Sequence, residues 1–214
     1  MSREGLPTIL GLAAFCLLVG WVGLRNEVAY LIVLAGVAAL CMLFSIYFFR
    51  DPMRVPPDLA NGVVAPADGK VIAIDQVEEK EFLAGQATRI AIFLSLFDVH
   101  VNYVPFRGTV EYIRYNHGAY FKADSPAAST HNVHIVTVLE TSHGKIAFKQ
   151  AVGMVARRLV NHLRLGDEVV TGQKFGIIKF GSRMEVYLPT TASIKVKIGD
   201  RVQACESIIA EFHV

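Results

Sequence analysis

Two long uncharged runs at the start of the chain limit what it can fold into. Residues 8–24 and 28–49 contain no charged side chain. An apolar helix of about 20 residues matches the hydrocarbon core of a bilayer. The second run meets that length and the first falls slightly short. Only Arg25-Asn26-Glu27 lies between them, so the two read as a transmembrane helical hairpin spanning 1–50. The alternative, a helix pair buried in a soluble core, is disfavoured because no charge interrupts either run. A cleaved signal peptide fits poorly, since the second run follows at once without a small-x-small cleavage site. Arg3 precedes the hairpin and Arg50 and Arg54 follow it, against Arg25 in the loop. The positive-inside tendency therefore puts both ends in the cytoplasm, with the rest of the chain on the cytoplasmic face of the inner or cell membrane.

The remaining composition excludes several classes. Hydrophobic residues make up 53% of the chain, and their excess sits in the two runs. A net charge of +2 gives no argument for a nucleic-acid partner. Cys16 and Cys41 lie in the apolar runs and Cys205 stands alone, which suits a reduced compartment rather than a disulfide framework. Arg50, Arg54, Arg107, Arg114, Arg157, Arg158 and Arg164 read equally as solvated cations or as contacts for an anionic lipid surface.

Residues 51–61 carry Pro52, Pro56 and Pro57 and read as a short stiff linker. From Gly62 onward, β-prone runs at 63–65, 70–74, 89–94, 109–114, 133–139, 145–152, 175–180, 183–188 and 193–198 alternate with turn residues. The spacing predicts a mostly β domain over 62–214 with short helices. A weak repeat relates residues 165–178 to 198–210, each beginning with a Gly-Asp turn (Gly166-Asp167, Gly199-Asp200). Pro66-Ala67-Asp68-Gly69 resembles a further turn of that kind. This is the rhythm of a barrel-sandwich fold. No Met-Lys-Met tripeptide is present, so a covalent carrier role is unsupported, and the repeat speaks for architecture alone.

The chemistry centres on Gly181-Ser182, between two strand-like runs. A serine just after a glycine at a tight turn can attack that glycine's carbonyl, and glycine tolerates the strained backbone required. The hydroxyl needs a base. Asp98 and His100, two apart, would share one face of a strand and could pair as a histidine with its orienting carboxylate. Asp68 is a third candidate. Taken alone, each is an ordinary turn or strand residue. His117, His131, His134 and His143 read as solvated loop histidines, and no coherent His–carboxylate set predicts a metal. Tyr115, Tyr120 and Phe121 read as the lining of a lipid-facing groove or as core aromatics, with the core favoured.

The conjunction is more specific. Pro66-Ala67-Asp68-Gly69, then Phe97-Asp98-Val99-His100-Val101-Asn102-Tyr103, then residues 153–158, then Phe180-Gly181-Ser182-Arg183-Met184-Glu185 occur in an order that resembles phosphatidylserine decarboxylases of the short bacterial and archaeal type. The resemblance spans nearly the whole chain. It implies a proenzyme that cuts itself between Gly181 and Ser182 into a large chain (1–181) and a small one (182–214). Ser182 then becomes a covalent pyruvoyl cofactor. That group forms a Schiff base with phosphatidylserine, which loses carbon dioxide to give phosphatidylethanolamine. The resemblance assigns reprotonation to His100 and a part in self-cleavage to Asp68. Longer relatives carry a second histidine three residues after the first. Here that position is Tyr103, so either His100 serves both steps or another group activates Ser182. Assembly into a homo-oligomer is compatible with all of this. Two other readings stay open: an archaetidylserine decarboxylase with the same headgroup chemistry, and a non-catalytic membrane-tethered barrel-sandwich module with Ser182 intact.

Overall fold

The computed structural model describes every residue except 155–157, 180, 181 and 214. The chain divides into two compact units, Met1–Pro52 and Met53–Val214.

In the first unit, α1 (Leu6–Arg25) and α2 (Ala29–Phe48) pack against each other. Both are long and apolar enough to cross a membrane. Their buried positions include the small residues Gly23, Ala35, Ala38 and Ser45, which let two backbones approach closely. Cys16 Sγ donates across the contact to the Ala35 carbonyl at 3.3 Å. Apart from Ile9 and Phe48, many large apolar side chains point outward: Leu17 is 74% exposed and Leu40 67%. A soluble core pair would show the opposite pattern, so the exposed apolar surface suits a lipid environment.

The second unit is mostly β, as the turn spacing predicts. Its early strands are β1 (Gly62–Val64), β2 (Gly69–Glu79), β3 (Gly85–Leu94), β4 (Val101–Tyr103) and β5 (Gly108–Asn116). After the short α3 (Pro126–His131) come β6 (His134–Thr141), β7 (Gly144–Val152), β8 (Arg158–Asn161), β9 (Glu168–Val169) and β10 (Lys174–Lys179). The last are β11 (Ser182–Pro189), β12 (Ser193–Ile194), β13 (Arg201–Val202) and β14 (Ile208–Glu211). The run at 193–198 is a strand only over its first two residues, because Asp200 accepts from the Lys197 N–H and turns the chain there.

An eight-stranded antiparallel sheet, ordered β13-β2-β3-β11-β7-β6-β5-β9, curls into a half-barrel. Two three-stranded sheets, β1-β14-β12 and β4-β10-β8, complete the unit. The order is palindromic, and the hydrogen bonds reveal an internal two-fold larger than the repeat visible in the sequence. Val64 N–H donates to the Pro105 carbonyl and Tyr103 N–H to the Pro66 carbonyl, both at 2.9 Å. Gly199 N–H donates to Val71 and Gly166 N–H to Val110, both at 2.8 Å. β2 and β5 each carry a bulge just after that valine. Gly69 and Gly108 match as well. A Cβ on either would lie 2.1 Å from the Phe93 carbonyl oxygen or 2.4 Å from that of Glu140.

The core fills the space inside the half-barrel with Ile90, Ile92, Leu94, Phe106, Phe148, Phe175, Met184, Val186 and Ile209. Burying a side chain such as Phe148 contributes about 1.5–3 kcal/mol. A smaller cluster of Ala87, Val136, Val138, Ala147 and Tyr187 covers the outer face at the sheet centre. β11 is consequently buried on both faces, and its first seven residues are all inaccessible.

Candidate active site

Ser182 opens β11, paired with Leu94 of β3 on one side and Val152 of β7 on the other. Strand alternation sends Met184, Val186 and Leu188 into the inner core, and Ser182 lies in phase with them. Ser182 is fully buried, and its Oγ has no hydrogen-bond partner among the described residues. An unsatisfied buried hydroxyl costs about 1–3 kcal/mol, so stability alone does not explain a serine there. Gly181, the other half of the expected scission site, lies outside the described residues, as do residues 155–157 of the 153–158 segment.

Residues 95–100 lead from β3 into β4. Asp98 and His100 do not share a strand face, because a turn intervenes and β4 begins only at Val101. Asp98 Oδ2 closes that turn by accepting from the Ser95 N–H and hydroxyl, both at 2.7 Å, and Oδ1 faces Arg201 at 3.3 Å. The backbone carbonyl of Asp98, rather than its carboxylate, meets His100 Nδ1 at 2.9 Å. A carbonyl only accepts, so Nδ1 carries a proton, and in the neutral tautomer that leaves Nε2 as the basic atom. His100 is fully buried, and its own carbonyl accepts from Ile178 N–H at 3.3 Å, on the strand leading toward Ser182.

Asp68 acts on this segment through the backbone. Its Oδ2 accepts from Val99 N–H at 3.3 Å, directly before His100, and its Oδ1 from Ala204 N–H at 2.8 Å. Arg54 forks across both oxygens, with Nη2 2.8 Å from Oδ2, and donates from Nη1 to the Ala204 carbonyl. The Arg54 side chain is only 7% exposed. Burial opposes its charge, but the hydrogen bonds and charge of Asp68 outweigh it and raise the guanidinium above its ordinary value. Arg54 is therefore neither a solvated cation nor a lipid contact. It fastens the proline-rich segment to the β domain, so that stretch is not a bare tether.

Tyr103 is buried with Val99, Val101, Ala204 and Cys205. Alternation puts Asn102 on the other face of β4, where Gln150 Nε2 donates to its Oδ1 at 2.9 Å. Gln150 reaches over from β7, also donating to the Val160 carbonyl at 3.2 Å. Gly176 makes the room: a Cβ there would lie 2.0 Å from that carbonyl oxygen and 3.2 Å from Gln150 Nε2.

Behind Ser182, on the outer face, lies a buried charge cluster. Glu185 accepts from Arg183 Nε at 2.6 Å, Lys149 Nζ at 2.8 Å and the Tyr187 hydroxyl at 2.5 Å. Burial works to raise the Glu185 carboxyl, but Lys149 and Arg183 outweigh it and hold it at about 2. Burial, then Glu185, pushes the Tyr187 phenol well above its ordinary value. Arg89 joins with Nη1 3.9 Å from Glu185, held by Asp75 at 2.5 Å and Ser129 Oγ at 2.6 Å. His134 lines the adjacent cavity of about 290 Å³ and is half-buried, so burial, with help from Lys149, lowers its pKa.

Several sequence expectations fail at the periphery. His134 is not solvated, and His143 stacks on Phe212 with ring centroids 4.6 Å apart. Tyr115, Tyr120 and Phe121 are 50%, 43% and 47% exposed, because they lie beyond the last layer of the core.

The family model described as phosphatidylserine decarboxylase matches residues 41–210. The chain belongs to the phosphatidylserine decarboxylase family. A phosphatidylserine decarboxylase proenzyme of Desulfotalea psychrophila is 40% identical over 99% of this chain and 96% of its own length. That of Pelobacter propionicus is 42% identical over 98% of this chain and 95% of its own length. The Salinibacter ruber protein of the same name is 46% identical over 78% of this chain and 75% of its own length. Sequence reasoning did not single out the buried polar residues Asn102, Gln150 and Glu185 in the region of Ser182, and it read Arg54 only as a flanking cation. Charge next to Ser182 in a strand was the available signal for Glu185. Asn102 and Gln150 gave none, since a polar residue in a strand usually marks a solvated face.

Proposed function

We propose that this chain is a self-processing phosphatidylserine decarboxylase, acting on the headgroup of a lipid that stays in the bilayer. The observation that carries the reading is the Ser182 hydroxyl: fully buried, without a partner among the described residues, and heading a central strand in a family whose relatives are named proenzymes. Ser182 Oγ attacks the Gly181 carbonyl, and the peptide nitrogen leaves as the serine amine. Loss of the Ser182 Cα proton together with cleavage of its Cβ–O bond then frees the Gly181 carboxylate, and water hydrolyses the remaining C–N unit to a ketone, releasing ammonia. The residues present fit a pyruvoyl group there, since the serine is fully buried and pairs with Leu94, from which the His100-bearing segment leads. A pyruvoyl at position 182 supplies a ketone that takes up the headgroup amine and draws off electrons as carbon dioxide departs.

His100 Nε2 is the proton carrier: it accepts the Ser182 proton in self-cleavage and later delivers one to the substrate carbon that has lost its carboxylate. The Asp98 carbonyl fixes the tautomer that this requires. Asp68 is a positioning residue, holding the backbone at Val99 so that the His100 ring keeps its place. Tyr103 takes no proton in this scheme. The hairpin keeps the domain beside its substrate, raising the effective concentration of lipid at the site, with both helix ends on the cytoplasmic side. Intact-mass measurement of the purified protein tests the reading. Two chains meeting between 181 and 182, the smaller with a blocked N-terminus, are expected. A Ser182→Ala protein should stay whole, and an uncut wild-type chain that decarboxylates normally would refute the scheme.

A further inference from the structure

Beside Ser182 the structure holds two buried hydrogen-bonding atoms that the proposed chemistry does not use. Asn102 and Gln150 are 0% and 1% exposed. Asn102 Nδ2 and Gln150 Oε1 have no partner among the described residues. Their orientation is not arbitrary. The Val160 carbonyl can only accept, so the Gln150 atom facing it is the nitrogen. That nitrogen also faces Asn102, which must turn its oxygen toward it. What remains unmet is the Asn102 side-chain NH2, a donor group, and the Gln150 side-chain carbonyl, an acceptor. Gln150 pairs across the sheet with Met184, so it is a diagonal, same-face neighbour of Ser182, at about 7–8 Å between backbones and within reach of a long side chain.

We infer that this carboxamide pair is the recognition site for the α-amino-carboxylate headgroup. The inference rests on the proposed decarboxylase reading and names what selects its substrate. Asn102 Nδ2 donates to the headgroup carboxylate. Gln150 Oε1 accepts from the headgroup amine. A serine headgroup carries both groups on one carbon and satisfies both atoms. A phosphate or a bare carboxylate offers acceptors only, and would set its oxygens against the Gln150 carbonyl. An ethanolamine headgroup offers a donor only and leaves Asn102 unmet. Loss of carbon dioxide therefore removes one of the two contacts and weakens the hold on the product, a difference in affinity that buried polar groups enforce strongly.

The test uses the processed holoenzyme and short-chain lipids. In the wild type, steady-state kinetics should give a KM for dihexanoyl phosphatidylserine about tenfold or more below the competitive inhibition constants of dihexanoyl phosphatidylethanolamine and of a lipid bearing a propionate headgroup without an amine. Equal affinities for the three would overturn the inference, with no variant needed. Asn102→Asp, checked for complete processing by intact mass, should raise KM for the serine lipid about 10–100-fold and change phosphatidylethanolamine binding less than threefold. Gln150→Met should weaken both amine-bearing lipids alike and spare the propionate lipid. If Asn102→Asp does not process, Asn102→Ser, which keeps a donor, serves in its place and should retain the serine preference. A processed variant whose loss is the same for every ligand would also refute the assignment, since a structural defect does not discriminate between headgroups. Failure of the wild type to cut itself would count against the decarboxylase reading instead.

Discussion

Pro66-Ala67-Asp68-Gly69 and Pro105-Phe106-Arg107-Gly108 occupy matching places in the two halves of the β domain. Their backbones are used alike: each proline carbonyl accepts from the other half's strand, and each glycine lies too close to a facing carbonyl for any Cβ. The third residue separates them. Asp68 gathers the Arg54 fork, Ala204 N–H and Val99 N–H. Arg107 is exposed and donates one side-chain bond, to the Ala60 carbonyl at 2.8 Å. The sheets show a parallel contrast. β6 and β7 form a hairpin closed by residues 142 and 143, whereas β3 and β11 pair in the matching way but are not consecutive, so Ser182 stands where the second half has a closed turn. Duplication supplies a rigid frame twice. The proposed site lies in the half where the chain leaves β3 through residues 95–100 and the Asp68 carboxylate accepts from the backbone there.

That contrast can be broken directly. Asp68→Ala should have the largest effect. It strands the buried Arg54 charge and frees the backbone before His100, costing about 3–5 kcal/mol in denaturant unfolding. It should also stop scission in an intact-mass assay, and full processing would remove Asp68 from the site. Next comes the seam where the halves meet. Glu185→Gln leaves Lys149 and Arg183 facing a neutral amide and should cost about 2–4 kcal/mol. Because the folded Glu185 carboxyl sits at about 2 against an ordinary 4.5, its contribution is complete above pH 4.5 and fades as pH falls toward 2. The variant should flatten that acid limb of the stability curve.

A smaller effect distinguishes the halves by titration. At the place of His134 on β6 the first half has the buried Ala87 on β3. The folded His134 pKa lies below its ordinary 6.5, so the unfolded chain takes up the proton first and stability falls as pH drops below 6.5. Thermal unfolding at pH 7 and pH 5.5 should show a loss that His134→Gln removes. Arg107→Ala should do least, within about 0.5 kcal/mol, and should leave processing untouched. An Arg107 variant as damaging as Asp68→Ala would mean that both turns serve the site.

The sequence already carried the hairpin, the β-rich domain and the Gly-Asp turns, because apolar run length and turn chemistry are local signals. The full two-fold was hidden because its paired turns carry opposite charges at Asp68 and Arg107 and share only proline and glycine. Ser182, His100 and Asp68, the residues of the proposed site, stood out through their motifs. Their relations did not. The spacing of Asp98 and His100 suggested a shared face, but the Ser95 turn sends the carboxylate elsewhere. Arg54 looked like a flanking cation because nothing local marks a partner on a distant turn. Asn102 and Gln150 became visible only when two strands from different sheets were brought together over Gly176.

The placement of β11 also bears on the fate of a severed chain. The fragment from Ser182 onward would own the middle strand of the large sheet, its β13 edge and the centre of a small sheet. Two broken ends would thus remain interwoven, and neither piece could leave without dismantling its neighbour. Chains separated in denaturant would lack the loop that once brought them into register, so unfolding of a severed form would be a one-way event, its lifetime governed by an opening rate rather than an equilibrium.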